Sequence, residues 1–249
     1  MPDQPVRWER LTWEEVAAIR DGGCDLCVLP VGATEQHGPH LPLDVDTVTA
    51  EAIALGASAR TGVPVLPALP YGCSLGHSGR WPGTISLRPE TLSAILVQIA
   101  EWVRIGGFRR LVVLNAHVTN WAPLRCGLEN IRHQWPDLRI GIRNVWDLSP
   151  QIHQRYHHDA ANFHANEAET SLSLHLRPTT VRLERAEDEP DRSADCCFSY
   201  RVDQESRTGT VGTPSAASAA RGAELHALLI DAFAAYLTRA RAERAPLEP

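Results

Sequence analysis

At 249 residues with a formal net charge of −6, the chain is long enough to bury a full core without disulfide or metal staples. The acidic balance removes any electrostatic reason to expect nucleic acid or an anionic membrane as a partner. Arg7, Glu9, Arg10, Glu14 and Glu15 interrupt the stretch where a signal peptide needs an apolar core, and no apolar run approaches the ~20 residues that span a bilayer, so a cytoplasmic protein is expected.

Thr12 and Glu15 form a capping box that opens a short helix to about Arg20, stopped by Gly22-Gly23. Cys24 and Cys27 make a C-x-x-C with no second half at the entry of a strand. For the six cysteines the expectation is therefore buried thiols acting as small apolar residues. The apolar run Leu26 to Val31 reads as a buried strand. It empties into a loop stiffened by Pro30, Pro39 and Pro42 and carrying Glu35, His37, His40, Asp44 and Asp46. Residues 47–59 are Ala-rich and helical, Val63 to Leu66 is a short strand, and Pro89 begins a helix from Glu90 to Ile105. Leu111 to Leu114 is a second buried strand ending in Asn115-Ala-His117. A helix from about Ala122 to Gln134 and a strand from Arg139 to Val145 follow. This alternation predicts an α/β fold with a mostly parallel sheet covered on both faces. Further on, His153–His158 and Glu167–Leu176 read as helices, 184–215 as an extended arm or loop, and Ala216–Arg241 as a long helix. No linker separates two cores, so residues 1–249 read as a single domain.

A buried strand delivering carboxylates and imidazoles from its carboxyl end is how an α/β protein builds a site at the edge of its sheet. That donor set suits zinc, iron or manganese. His117, at the end of the later strand, points to the same edge. A third source is Phe163-His-Ala-Asn-Glu-Ala-Glu-Thr-Ser171, with His164, Glu167 and Glu169 before or at the start of a helix. Glu167 and Glu169 cannot share one helical face at i, i+2, so at most one of them points directly at a given metal. The inventory suffices for a two-metal site with one bridging carboxylate. Blander roles fit other residues. His40 and Asp44 order the loop, and Ser74, His77 and Ser78 line an entrance or belong to a solvated loop. His153 and His157, at i, i+4 without an acidic neighbour in register, read as surface. Trp81, Trp121 and Trp146 read as core or pocket wall, with Trp121, beside the His117 motif, the best candidate for substrate contact.

The segment Val31-Gly-Ala-Thr-Glu-Gln-His-Gly-Pro-His-Leu-Pro-Leu-Asp-Val-Asp46 closely resembles the signature of the creatininase (creatinine amidohydrolase) family. The resemblance continues through Trp81-Pro-Gly-Thr-Ile-Ser86, Leu114-Asn-Ala-His-Val-Thr-Asn120 and His164-Ala-Asn-Glu-Ala-Glu-Thr-Ser171. It runs from Thr12 to Arg177, about two thirds of the chain. It implies a three-layer α/β/α sandwich, two divalent metal ions (zinc, manganese or iron), hydrolysis of a C–N bond, and a homo-oligomer such as a hexamer. On this resemblance Glu35 and His117 serve one ion, His37 serves the other, and Asp46 bridges them. In creatininase a glutamate stands two residues after the histidine of the Asn-Gly-His motif, where this chain has Thr119. The remaining ligand is therefore sought in Glu169, with Glu167 as the competing choice. Many relatives read Asn-Gly-His-Gly-Gly-Asn where this chain has Ala116, Val118 and Thr119, which implies a reshaped pocket wall with Val118 near the substrate. Creatininase also carries a Trp-Asp pair shortly before the histidine matching His164. Ala160 and Ala161 stand there in this chain, which points away from creatinine itself as substrate.

The expected activity is hydrolysis of an amide, cyclic amide or formamide bond of a small molecule by a water activated between two metal ions. His164, or whichever of Glu167 and Glu169 is not a ligand, would carry the proton to the departing nitrogen. Competing readings are a peptidase maturing a ribosomally made precursor peptide, of the mycofactocin type, and a non-catalytic ligand-binding member. Retention of Glu35, His37, Asp46 and His117 together argues against the last, because buried unpaired carboxylates are costly. The 184–215 arm is a candidate to complete a neighbour's pocket in an oligomer.

Overall fold

The first strand, β1 (Leu26–Val31), is buried at every position. Alternate side chains of such a strand face opposite layers, which is why its apolar run is continuous. In this computed structural model, which describes residues 4–77 and 79–247, it pairs in parallel with β2 (Arg110–Asn115), and β2 pairs in parallel with β3 (Arg139–Asn144). Ser78 lies outside the described residues. The register sets Val31 opposite Asn115 and Asn115 opposite Asn144, so three strands end level at one edge.

The helices are α1 (Trp13–Asp21), α2 (Val45–Thr61), α3 (Pro89–Ile105), α4 (Trp121–Gln134), α5 (Pro150–His157), α6 (Glu167–Leu176), α7 (Val202–Glu205) and α8 (Ala219–Ala242). The capping box forms: Glu15 N donates to the Thr12 hydroxyl, and Thr12 N donates to the Glu15 carboxylate at 2.7 Å. Leu26, Val28, Val112 and Leu114 pack in one core with α2, α5, α6 and α8. Cys27, Leu29, Val31, Leu111 and Val113 pack in a second core with α3 and α4. The result is the expected three-layer α/β/α arrangement.

The expected strand from Val63 to Leu66 is not regular. Val28 N donates to Pro64 O and Leu66 N to Val28 O, but Val65 and Leu69 make only isolated bridges to β1. Pro64, Pro67 and Pro70 remove the donors that a continuous ladder needs. The cysteines also depart from expectation: Cys24, Cys27 and Cys73 are buried and free, whereas Cys126, Cys196 and Cys197 are exposed. Among the described residues no helix is long and apolar enough to cross a membrane.

Residues 184–215 fold back onto their own chain. Antiparallel bridges join Glu189 to Gly212 and His164 to Val211. The Glu189 carboxylate is the hub: it accepts from Ser206 Oγ, the Arg207 and Thr208 amides, Thr208 Oγ1 and Arg192. Burial resists the charge, yet these donors hold its carboxyl down at about 2. On the other side α8 packs tightly against α6, where a Cβ on Gly222 would sit 1.9 Å from the Ser171 carbonyl oxygen.

Two outcomes follow from this packing. Gly222→Ala should cost about 1–3 kcal/mol in urea unfolding through overpacking. Gly76→Ala, whose Cβ meets nothing nearer than 3.8 Å, should stay within about 0.5 kcal/mol of the parent. Because the Glu189 pKa is depressed, its contribution is complete above the usual carboxylate range and is lost as pH falls toward 2. Amide hydrogen exchange should therefore show the arm opening before the sheet on acidification, and Glu189→Gln should open it already at neutral pH.

Candidate metal centre

The loop after β1 delivers its side chains inward because its own backbone is tied down: Glu35 N donates to Leu43 O, and Gly38 N donates to Gln36 Oε1. Glu35 is fully buried, and His37 and Asp46 are nearly so. His37 Nδ1 lies 3.1 Å from the Glu35 carbonyl oxygen, and a carbonyl only accepts. This leaves His37 Nε2 facing Asp46 Oδ1 at 3.2 Å. Asp46 stands in the first turn of α2, where the helix dipole favours an anion. Its other oxygen lies 3.3 Å from His117 Nδ1, just beyond β2. His117 Nε2 in turn lies 3.1 Å from Glu35 Oε2.

Glu169 reaches the same point from α6. Asn166 caps that helix by accepting from Glu169 N at 3.2 Å, and Ala165 N donates to Glu169 Oε2 at 2.6 Å. Ala165 adopts φ 50°, a costly conformation for a residue with a Cβ, and it aims that amide at the carboxylate. Three donor groups result: Glu35 with Asp46 and His117, His37 with Asp46 and Glu169, and Glu35 with His37 and His164. Within each, the ligand atoms lie within 4.8 Å of one another.

The donors fit divalent cations. Both Glu35 oxygens and Asp46 Oδ2 are buried and lie in no hydrogen bond. Burial, and then Asp46, push the Glu35 carboxyl up despite His117. Burial opposes charge on His37, but Asp46 overrides it and lifts the ring to about 10. Against the same burial, Glu35 and Asp46 lift His117 to about 9. Burial also works against the Asp46 carboxylate, and His37 and His117 hold it well below the usual range. Glu169 is raised to about 7, by burial first. Protons on imidazoles thus balance the carboxylates, a task that metal ions perform with more charge per site.

Gln36 ties this cluster to its surroundings, a role no residue-type signal in the sequence marked. Its Nε2 lies 3.0 Å from His77 Nδ1 and 3.3 Å from the Gly209 carbonyl of the arm. His77 therefore accepts at Nδ1, and burial keeps its ring neutral, lowered to about 2. The same Nδ1 faces Glu35 Oε1 at 3.1 Å, two acceptors that a cation or shared proton reconciles. His164 Nε2 donates to the Gln36 carbonyl at 2.8 Å, which leaves its Nδ1 lone pair 3.6 Å from Glu35 Oε1. Burial, then His37 and His77, keep His164 neutral, well below the ordinary value.

Other candidates from the sequence go elsewhere. Glu167 is buried away from the cluster, bound by Arg221 Nε at 2.8 Å and Ser171 Oγ at 2.6 Å, so the structure does not place it for catalysis. The i, i+2 spacing turns it to the opposite side of α6 from Glu169. Ser74 is fully buried, its Oγ 3.1 Å from His117 Nε2, where it supports the ring rather than meeting a substrate. Trp121 lines a separate surface depression with Val118 and packs under Arg125, because the first turn of α4 carries it past the edge. His40 bonds Thr170 Oγ1 at 2.9 Å, and Asp44 pairs with Arg177 at 2.7 Å. The His153 and His157 rings stack at 4.0 Å, and Asp147 supplies His153 with the acidic neighbour the sequence did not suggest.

Asp46, Glu169, His77, His117 and His164 all line one cavity of about 550 Å³. Ala116, Val118, Thr119 and Ala161, which depart from the family pattern, contribute to its walls, whereas Ala160 is buried in the core. Trp146, Phe163 and arm residues 196–200 complete it. The sequence offers the arm as a candidate for a neighbour's pocket; here its residues 196–200 line the cavity of their own chain.

Comparison with known proteins agrees with this geometry. The sequence model of the creatininase family, described as creatinine amidohydrolase, matches residues 9–237. The chain is 32% identical to creatinine amidohydrolase of Pseudomonas putida over 84% of its length and 86% of the relative's. It is 34% identical to mycofactocin precursor peptide peptidase of Mycobacterium tuberculosis, covering 82% of this chain and 81% of that protein. A crystal structure of creatinine amidohydrolase superposes with a TM-score of 0.85 at 29% identity, covering 96% of this chain and 99% of the other. Solved creatininases include a Zn-Zn type and a manganese form, with TM-scores of 0.83 and 0.81 at 28% and 29% identity, each covering 94% of this chain and 98% of the other. With the motifs, the layered fold and the clustered donors in agreement, the chain belongs to the creatininase family.

Proposed function

We propose that this protein is a metal-dependent amidohydrolase that cleaves a C–N bond in a small-molecule amide, cyclic amide or formamide. The observation that carries this reading is the placement of Asp46, one oxygen toward His37 and the other toward His117, shared by two donor groups on one cavity. The Zn-Zn and manganese forms of related creatininases support two divalent ions at these groups. Glu35, Asp46 and His117 would hold one ion, and His37, Asp46 and Glu169 the other. When bound, such ions polarise the amide carbonyl and make water acidic enough to attack at neutral pH.

The chain's own groups handle protons and orientation. His164 has its Nε2 proton committed to the Gln36 carbonyl, so Nδ1 is the basic atom turned toward the cluster. It accepts a proton from the attacking water and returns it to the departing nitrogen, which cannot leave as an amide anion. Its depressed pKa keeps the lone pair free across the neutral range. Gln36 holds both rings against rotation, His77 through its side-chain amide and His164 through its backbone carbonyl. Ala161 leaves room at the cavity wall where creatininase carries a bulkier pair, which favours a substrate other than creatinine. A homo-oligomer belongs to the same proposal, on the family resemblance. A second reading, maturation of a precursor peptide, is favoured by the 34% identity to the mycofactocin peptidase.

Stripping metal should abolish activity, and zinc or manganese should restore it; turnover that survives complete chelation would refute the mechanism. Asp46→Asn should reduce bound metal from about two ions per chain to less than one by elemental analysis, because both donor groups lose a ligand. His164→Gln should lower kcat about 10²–10⁴-fold while metal content stays intact. Metal loss in that variant would instead make His164 a ligand. A panel of cyclic amides and formamides against short peptides separates the two substrate readings.

A further inference from the structure

Away from the metal cluster, the cavity wall belongs to the returning arm, and its chemistry is distinctive. Phe198 is 76% exposed and Tyr200 47% exposed, although both line the cavity. Rings of that size left in water at a pocket mark surface that a bound group covers. Trp146 and Phe163, in edge contact at 6.1 Å between ring centroids, add buried aromatic surface to the same cavity.

Away from the metal cluster, the formally charged side chains on this wall have one sign. The chain contains no lysine, and none of its 24 arginines lines the cavity. Asp46 and Glu169 are committed to the cluster. That leaves Glu205, at the end of α7, as a carboxylate on the wall whose side chain is in no hydrogen bond or ion pair among the described residues. Burial and nearby Asp191 push its carboxyl up, and a positive charge beside it would relieve both. At about 550 Å³ the cavity is in the range of drug-sized ligands, much roomier than one small ring requires.

We infer that Phe198, Tyr200 and Glu205 form a recognition site for the part of the substrate that does not react, a planar group bearing a positive charge. The ring faces attract the cation, the carboxylate pairs with it, and an anionic group finds no arginine or lysine on this wall. The inference rests on the amidohydrolase reading for what lies at the cluster, and it narrows the substrate class to amides with a cationic, planar substituent. These three residues would set specificity and take no part in bond breaking.

The test uses binding to the zinc-loaded protein, so it does not depend on turnover. Benzyltrimethylammonium, benzyl alcohol and benzenesulfonate share a ring and differ in charge, none contains an amide, and the ammonium cannot ligate metal. Calorimetry should show the cation binding about tenfold tighter than the alcohol, with the sulfonate weakest. Glu205→Gln should bring the cation close to the alcohol. Phe198→Ala and Tyr200→Ala should each weaken the cation about fivefold, and Tyr200→Phe, which keeps the ring, should retain it. Equal or tighter binding of the sulfonate, no detectable binding of the cation, or unchanged cation affinity in Glu205→Gln and both alanine variants would overturn the inference. Failure of the amide panel with this charge order intact would count against the amidohydrolase reading alone.

Discussion

Three carboxylates, Glu35, Asp46 and Glu169, lie buried beside the rings of His37 and His117, and the surrounding structure is arranged to hold that concentration of charge. Desolvating each ion costs several kcal/mol, so the cluster persists only with compensating positive charge and fixed donors. The fold provides part of this itself. The N-terminal turn of α2 faces Asp46, the amide of a strained Ala165 faces Glu169, and protonated rings stand between the acids. What the protein leaves without a hydrogen bond, both Glu35 oxygens and one Asp46 oxygen, is what divalent cations would satisfy.

The site divides into a part held by the sheet and a part held by the arm. Strand ends and helix starts position Glu35, Asp46, His117 and Glu169, so their mutual distances follow from the best-packed region of the molecule. The aromatic wall hangs on a segment with little regular structure, organised by one carboxylate, Glu189. Gln36 links the two, touching His77, His164 and the Gly209 carbonyl at once. This division lets the chemistry stay constant while the wall changes, which suits a family whose members include a creatinine amidohydrolase and a precursor-peptide peptidase.

Much of the sheet edge was legible from local sequence. The run Leu26–Val31 announced a buried strand, and the residues after it named their own chemistry by composition. The capping box at Thr12 and the proline-led α3 were legible for the same reason, since their causes lie within one turn of chain. The Val63–Leu66 segment was overread, because its apolar residues suggested a strand whose prolines deny it a ladder. Glu167 and Glu169 could not be told apart by residue type. Arg221, distant in sequence, captures the first, and the turn ending at Ala165 delivers the second. Ser74 and Trp121 were misplaced because adjacency in the chain does not fix which side of a strand end a side chain faces.

Taken alone, the sequence determined the α/β class, the family, and the residue types able to hold metal, since each depends on short-range pattern and composition. Only the tertiary structure decided which carboxylate joins the cluster, that Gln36 orients two histidines, and that Phe198, Tyr200 and Glu205 border the pocket. These depend on contacts between segments far apart in the chain, which no periodicity records. Their geometry is set by how α6, α8 and the arm close over the sheet edge.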